Sequence, residues 1–154
     1  MDVRIRRATS RDIDVVTDFN ARIAAETEQT RLDRRRLRRG VTAILDDSRH
    51  GLYFLAEVDD RVVGQISVTY EWSDWRDANF WWLQSVYVQQ DYRGKGIFSI
   101  LFNHIVNESK VTSKVCGLRL YVDRENAAAK AVYAKLGFAE ARYDLMQLSF
   151  VPGT

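Results

Sequence analysis

The chain has 154 residues, 46% of them hydrophobic and 29% charged, which suits one compact domain with a sizeable core and excludes a disordered chain. A formal net charge of +2 is too small to argue by itself for nucleic acid, and no apolar run approaches membrane-spanning length. The single cysteine, Cys116, excludes an internal disulfide and a multi-cysteine zinc site, so no metal is expected and a reducing, cytoplasmic setting fits.

The N-terminus alternates Val3 and Ile5 with Arg4 and Arg6, which reads as a first strand and not as the apolar stretch of a signal peptide. Ser10 is placed to cap a helix whose apolar face is Ile13, Val16, Phe19 and Ile23, with Asp12 and Asp14 near its N-terminal dipole. A second helix starts at Asp33 and carries Leu37, Val41, Ile44 and Leu45, and Gly51 breaks the pattern. The arginines between Arg31 and Arg39 form a solvated basic face on that helix, since the leucines fall at amphipathic spacing.

Residues 52–58 and 62–70 are β-rich runs joined by a hairpin turn at Asp59-Asp60-Arg61, and residues 80–88 form a third. A glycine turn follows, then a helix marked by Ile97, Ile100, Leu101, His104, Ile105 and Glu108, in which His104 is a packing or surface residue. Residues 118–122 alternate as a strand. Residues 126–136 have strong helix propensity, and Gly137 is a natural stop. The tail from Phe138 to Phe150 has room for one or two more strands, and the only proline, Pro152, lies at its end.

The strongest local signal is the passage from Val86-Tyr87-Val88 through Arg93-Gly94-Lys95-Gly96 into Ile97. A strand ends and a glycine turn opens directly into a helix, an arrangement suited to an anion such as a pyrophosphate. The alternative is a tight strand-to-helix turn with exposed basic residues. The spacing is neither a Walker A loop nor a dinucleotide fingerprint, which would need glycine at Ser99.

With its neighbours, this segment resembles motif A of the GCN5-related N-acetyltransferases (GNAT), whose pattern is [QR]-x-x-G-x-[GA]. Arg93 and Gly96 match, while Phe98 stands where that family usually has Gly or Ala. A later family pattern, N-x-x-A-x-x-x-Y-x-x-x-G-F, is met by Asn126, Ala129, Tyr133, Gly137 and Phe138. The resemblance implies a single domain over residues 1–154 of the α/β (α+β) class. Its central sheet would be mixed, mostly antiparallel and splayed in the middle, flanked by about four helices.

It further implies acetyl-CoA as cofactor. Val86, Tyr87 and Val88 would lie along the pantetheine arm, with the Val88 amide polarising the thioester carbonyl. Arg93, Gly94, Lys95, Gly96, Ile97, Phe98 and Ser99 would surround the pyrophosphate. Asn126 would reach the pantetheine, and Tyr133 would give a proton to the departing thiolate. Relatives often carry a glutamate on the strand before motif A, but here that stretch reads Trp82-Leu83-Gln84-Ser85. The general base is therefore sought at Glu26, Glu28 or Glu71, with Asp74 and Asp77 as weaker candidates, each of which can equally be a solvated carboxylate.

Residues 70–82 carry all four tryptophans and three acids within an expected loop and its flanks. Trp72 and Trp75 with Glu26, Glu28 and Glu71 could hold a cationic amine, or the tryptophans could serve packing or an interface. For Trp81 and Trp82, packing is expected. The expected acceptor is a primary amine of a small molecule or peptide, with neither nucleic acid nor membrane as partner, and the resemblance allows a homodimer. A non-catalytic acyl-CoA sensor of the same fold is the alternative.

Overall fold

The computed structural model describes residues 1–151, so Pro152 lies outside the described residues. The chain divides into two compact units, one ending at Tyr121 and the other starting at Val122. The first unit runs β1 (Arg4–Arg7), a 3₁₀ turn (Ser10–Asp12), α1 (Ile13–Thr27), α2 (Arg34–Asp46), β2 (Leu52–Val58), β3 (Arg61–Ser73), β4 (Ala78–Val88), a second 3₁₀ turn (Gln90–Tyr92), α3 (Ile97–Val111) and β5 (Val115–Leu120). The second holds α4 (Ala127–Lys135). Among the described residues no helix is long and apolar enough to cross a membrane.

The five strands form one sheet in the order β1-β2-β3-β4-β5, antiparallel except for the parallel pair β4–β5, which α3 connects. Helices cover both faces of its centre, and β2 shows why. Successive strand side chains point to opposite faces. Tyr53 and Leu55 join Val16 of α1 and Val41 of α2 in one cluster, while the Phe54 ring meets His104 of α3 edge-on at 4.9 Å. A strand buried on both faces reads as a continuous apolar run, which is what 52–58 is. Ile97, Leu101 and Ile105 of α3 are fully buried, each contributing about 1.5–3 kcal/mol. Gly64 permits this close approach, since a Cβ there would stand 3.3 Å from Ile97 and 3.4 Å from Leu101.

Several boundaries differ from the sequence expectation, each for a local reason. The first cap is Thr9 rather than Ser10. Asp12 reaches back to accept from the Thr9 amide at 2.8 Å, and Thr9 Oγ1 accepts from the Arg11 amide, so the reciprocal cap closes one residue earlier. Asp33 does cap α2, accepting from the amides of Arg35 and Arg36. The β2–β3 turn is only Asp59-Asp60, both at positive φ, and Arg61 already pairs with Val58. The aromatic segment is mostly strand: β3 and β4 run to Ser73 and from Ala78, leaving residues 74–77 as the turn. β5 starts at Val115, because Gly117 fits beneath the Phe80 ring, where a Cβ would stand 3.2 Å away.

In the second unit, Asn126 caps α4 by accepting from the Ala129 amide at 3.0 Å, and Gly137 ends it at φ 96°. The strands expected between Phe138 and Phe150 are absent among the described residues. Tyr143, Leu145, Leu148 and Phe150 are exposed, and no strand ladder forms there to bury them.

Candidate active site

The site begins where the sheet opens. β4 pairs with β5 only as far as Leu83↔Leu120, yet it continues to Val88. From Gln84 onward its neighbour is β3 alone. There the β3–β4 register slips between Gln65 and Ser67, and Ser85 adopts φ 51°, so β4 bulges. A positive φ on a non-glycine residue needs outside support. Gln65, fully buried, donates Nε2 to the Ser85 carbonyl at 3.0 Å, and Tyr53 Oη donates to Ser85 Oγ at 3.2 Å. Ser67 Oγ donates to the Gln84 carbonyl at 3.0 Å, and Gln84 Nε2 to Thr69 Oγ1 at 2.6 Å.

Beyond the bulge, the Gln89 amide donates to Val63 of β3 at 2.8 Å. Alternation along a strand then turns the Val88 N–H to the opposite side, where β5 has already ended. Tyr87 is buried, its ring 4.8 Å from that of Phe19 in α1.

β4 leads through the 3₁₀ turn into Arg93-Gly94-Lys95-Gly96. Gly94 and Gly96 have φ of 74° and 82°, a backbone that favours glycine, and Gly96 is the N-cap of α3 without any side-chain cap. The amides of Gly94, Lys95, Gly96, Ile97 and Ser99 have no protein acceptor among the described residues. The Phe98 ring, at the position where the motif departs from its pattern, lies against Phe102 one turn along the helix, centroids 6.1 Å apart.

Arg93 and Lys95 behave differently. Arg93 donates Nε to the Val88 carbonyl at 2.8 Å and Nη2 to Glu26 at 2.6 Å, and Glu26 also accepts from Tyr87 Oη at 3.3 Å. The Glu26 carboxylate raises the Arg93 pKa above its ordinary value. Arg93 is thus a clamp between the ends of α1 and β4, and Glu26 belongs to this turn. Lys95 has no carboxylate within ion-pair distance among the described residues, and its Nζ lies over the Tyr92 ring at 5.2 Å. It is the positive charge of the turn that stands without an ion pair among the described residues.

The other acidic candidates are not brought to this place. Glu71 lies on β3, where it accepts from Trp82 Nε1 at 3.1 Å and Arg119 at 2.7 Å. Glu28, at the C-terminus of α1, is exposed. Asp77 pairs with Lys114 at 2.9 Å, and Asp74 accepts from the Trp75 amide. Trp72 and Trp75 are 53% and 87% exposed near the hairpin tip, Trp81 is buried, and Trp82 stacks on Tyr121 at 4.4 Å. In the second unit, the Tyr133 ring meets Phe138 edge-on at 5.7 Å, and burial pushes its phenol pKa up.

One cavity was not foreseen. It opens beside the bulge, holds about 460 Å³, and has an apolar wall of Leu37, Gly40, Val41 and Ile44 from α2. Asn20, His50, Tyr53 and Ser85 supply its polar edge. Asn20 Nδ2 donates to the Val16 carbonyl and to Tyr53 Oη, both at 3.0 Å. The signal that could have pointed here is Gln84-Ser85, a polar pair interrupting an otherwise apolar β run, and Asn20 within an amphipathic helix.

A splayed mixed sheet with a helix N-terminus at the end of its opened strand defines an acyltransferase type of fold. The model of the Acetyltransferase (GNAT) family matches residues 16–138, and the chain belongs to that family. A possible acetyltransferase from Clostridium difficile 630 is 46% identical, with a TM-score of 0.91 over 97% of this chain and 98% of that one. A ribosomal-protein-alanine N-acetyltransferase from Brucella melitensis biovar Abortus 2308 shares the fold at 21% identity, with a TM-score of 0.78 over 97% of this chain and 100% of that one. So does a predicted acetyltransferase from Clostridium acetobutylicum, solved with acetyl-CoA, at 18% identity and a TM-score of 0.78 over 96% of each chain. A search of curated proteins finds no match.

Among the described residues, the first unit thus presents two sets of unpaired backbone groups, the amides of the glycine turn, suited to an anion, and the strand edge past Leu83.

Proposed function

We propose that the chain, acting as one acetyltransferase domain over residues 1–154, transfers an acetyl group from acetyl-CoA to a primary amine of a small molecule or peptide by direct attack. The observation that carries this reading is the continuity of one strand through three features: the bulge at Ser85, the open edge to Val88, and the glycine turn capping α3. Acetyl-CoA, which the Clostridium acetobutylicum relative was solved with, supplies the acetyl group as an activated thioester.

The residues divide the work. Gly94, Lys95, Gly96, Ile97, Phe98 and Ser99 hold the pyrophosphate through backbone amides and the Lys95 ammonium. Arg93 fixes the turn through Glu26 and Val88 and presents its remaining N–H groups. Val86, Tyr87 and Val88 align the arm, and the Val88 N–H faces the acyl oxygen on which negative charge builds. On the family pattern, Asn126 contacts the arm and Tyr133 supplies a proton to the leaving sulfur. No carboxylate lines the cavity beside the bulge among the described residues, so the amine proton leaves through water or a group at the cavity edge.

The test is thiol release from acetyl-CoA across a panel of amines and peptide N-termini, with calorimetry of coenzyme A binding alongside. Amine-dependent thiol release is expected. Tight binding with no release across the panel would replace this reading with a non-catalytic acyl-CoA sensor.

A further inference from the structure

The cavity beside the bulge has a chemistry of its own. Its volume of about 460 Å³ lies within the range of small-molecule sites, about 300–1,000 Å³. None of its lining residues is an Asp, Glu, Lys or Arg. One wall is the face of α2 at positions 37, 40, 41 and 44, the repeat of a single helical stripe. Arg34 falls on this stripe one turn earlier but is drawn to Asp18 of α1 at 3.9 Å, Arg38 is tied to Asp14 of α1, and neither lines the cavity.

The polar edge is a directed chain of hydrogen bonds. Both protons of Asn20 Nδ2 are committed, to Val16 and to Tyr53. The Tyr53 hydroxyl accepts from Asn20 and donates to Ser85. What the chain leaves over is the acceptor Asn20 Oδ1, the hydroxyl hydrogen of Ser85 with one of its lone pairs, and the His50 imidazole at the cavity edge. A neutral amine has N–H groups for the first and a lone pair for the second. An ammonium has only donors and could use the acceptors alone, and no lining residue is a carboxylate to pair its charge.

From this geometry we infer that the cavity is the acceptor site and takes a primary amine carried on an uncharged, apolar body, with Gly40 setting the size of that body. The inference rests on the acetyl-transfer reading above. A second cation on the acceptor would lie against Leu37, Val41 and Ile44 with nothing to pair it, so polyamines and aminoglycosides are disfavoured. Without a lining carboxylate, no negative charge in the cavity favours the ammonium form over the uncharged, nucleophilic one. The missing glutamate near Gln84 is thereby explained as part of the specificity.

Gly40 gives a clean test. A Cβ there meets nothing within 4 Å, and its backbone is not in the left-handed region, so a side chain there starts into open space. Leucine is also the better helix former, so the fold should lose nothing. The measurement compares 2-phenylethylamine with spermidine at saturating acetyl-CoA in wild type and Gly40→Leu. We expect kcat/KM to favour 2-phenylethylamine by roughly tenfold or more, and Gly40→Leu to raise its KM by roughly tenfold or more. Acetyl-CoA affinity and Tm should be unchanged or, for Tm, higher.

A preference for spermidine, or a wild-type KM in an active Gly40→Leu, would overturn the assignment while leaving acetyl transfer standing. If neither amine is turned over, titration of 2-phenylethylamine into the coenzyme A complex decides. Heat that is lost in Gly40→Leu keeps the cavity assignment and removes the acetyl-transfer reading, whereas no heat in wild type removes the assignment as well.

Discussion

Tyr133 shows how environment sets a residue's limits. Burial holds its phenol above the ordinary value of 10.0, so it stays protonated through neutral pH. That makes it a dependable donor, but a weaker acid than a thiol of pKa about 8.5. In the proposed role it gives its proton to the leaving thiolate only against that difference, so its effect belongs at the low end for general acids. Tyr133→Phe is expected to lower kcat by about 10- to 100-fold and leave the Kd of acetyl-CoA unchanged, as read by steady-state kinetics and calorimetry. An unchanged kcat would remove Tyr133 from the reaction. The helix that carries Tyr133 was legible because its signals are local: Asn126 caps it and Gly137 ends it. Glu26 was visible only as an acid near a helix end. Its tie to Arg93 joins residues 67 positions apart, and no local pattern encodes that.

At the scale of elements, the glycine turn and the bulge are the same kind of feature with different visibility. Both need positive φ. Gly94 and Gly96 announce theirs by being glycine, whereas Ser85 is held at 51° by Gln65 and Tyr53, which come from other strands. The first could be read from the chain and the second could not. For the same reason the β runs, the helix stripes and the Asp33 cap were legible. The cavity was not, because its walls come from α1, α2, β2 and β4. The tail failed in the opposite direction, since length enough for a strand is not itself a strand signal. The turn yields a prediction. A Cβ at Gly96 meets nothing within 4 Å, so Gly96→Ala costs only the left-handed backbone, about 1–2 kcal/mol. It should lower stability by that amount in urea and weaken acetyl-CoA binding several-fold. Full stability with unchanged affinity would mean that the turn neither needs its φ of 82° nor holds the anion.

Across the first unit as a whole, few charges are buried, and those few are concentrated where β1 meets β2. Glu57 accepts from Arg4 and from Arg6 Nε at 2.6 Å, and Arg6 forks onto Asp12 at 2.8 and 2.9 Å. The side chains of Glu57 and Asp12 are each only 8% exposed. Hydrogen bonds from Arg6 lead in holding Asp12 below its ordinary 3.8, and those from Arg6 and then Arg4 hold Glu57 below its ordinary 4.5. The sign of the pH effect follows. As pH falls, the unfolded chain takes up these protons before the folded one does, so the network's stabilisation is complete above about pH 4.5 and is lost as pH drops through the folded values. Glu57→Gln removes the charge and keeps the shape. It should lower stability at pH 7 by about 1–3 kcal/mol, because its hydrogen bonds are to charged groups. Below about pH 4 the wild type loses the same stabilisation, so the gap between the two proteins should narrow. Urea unfolding at pH 7 and at pH 3.5 measures both gaps, and equal gaps would show that Glu57 contributes packing rather than charge.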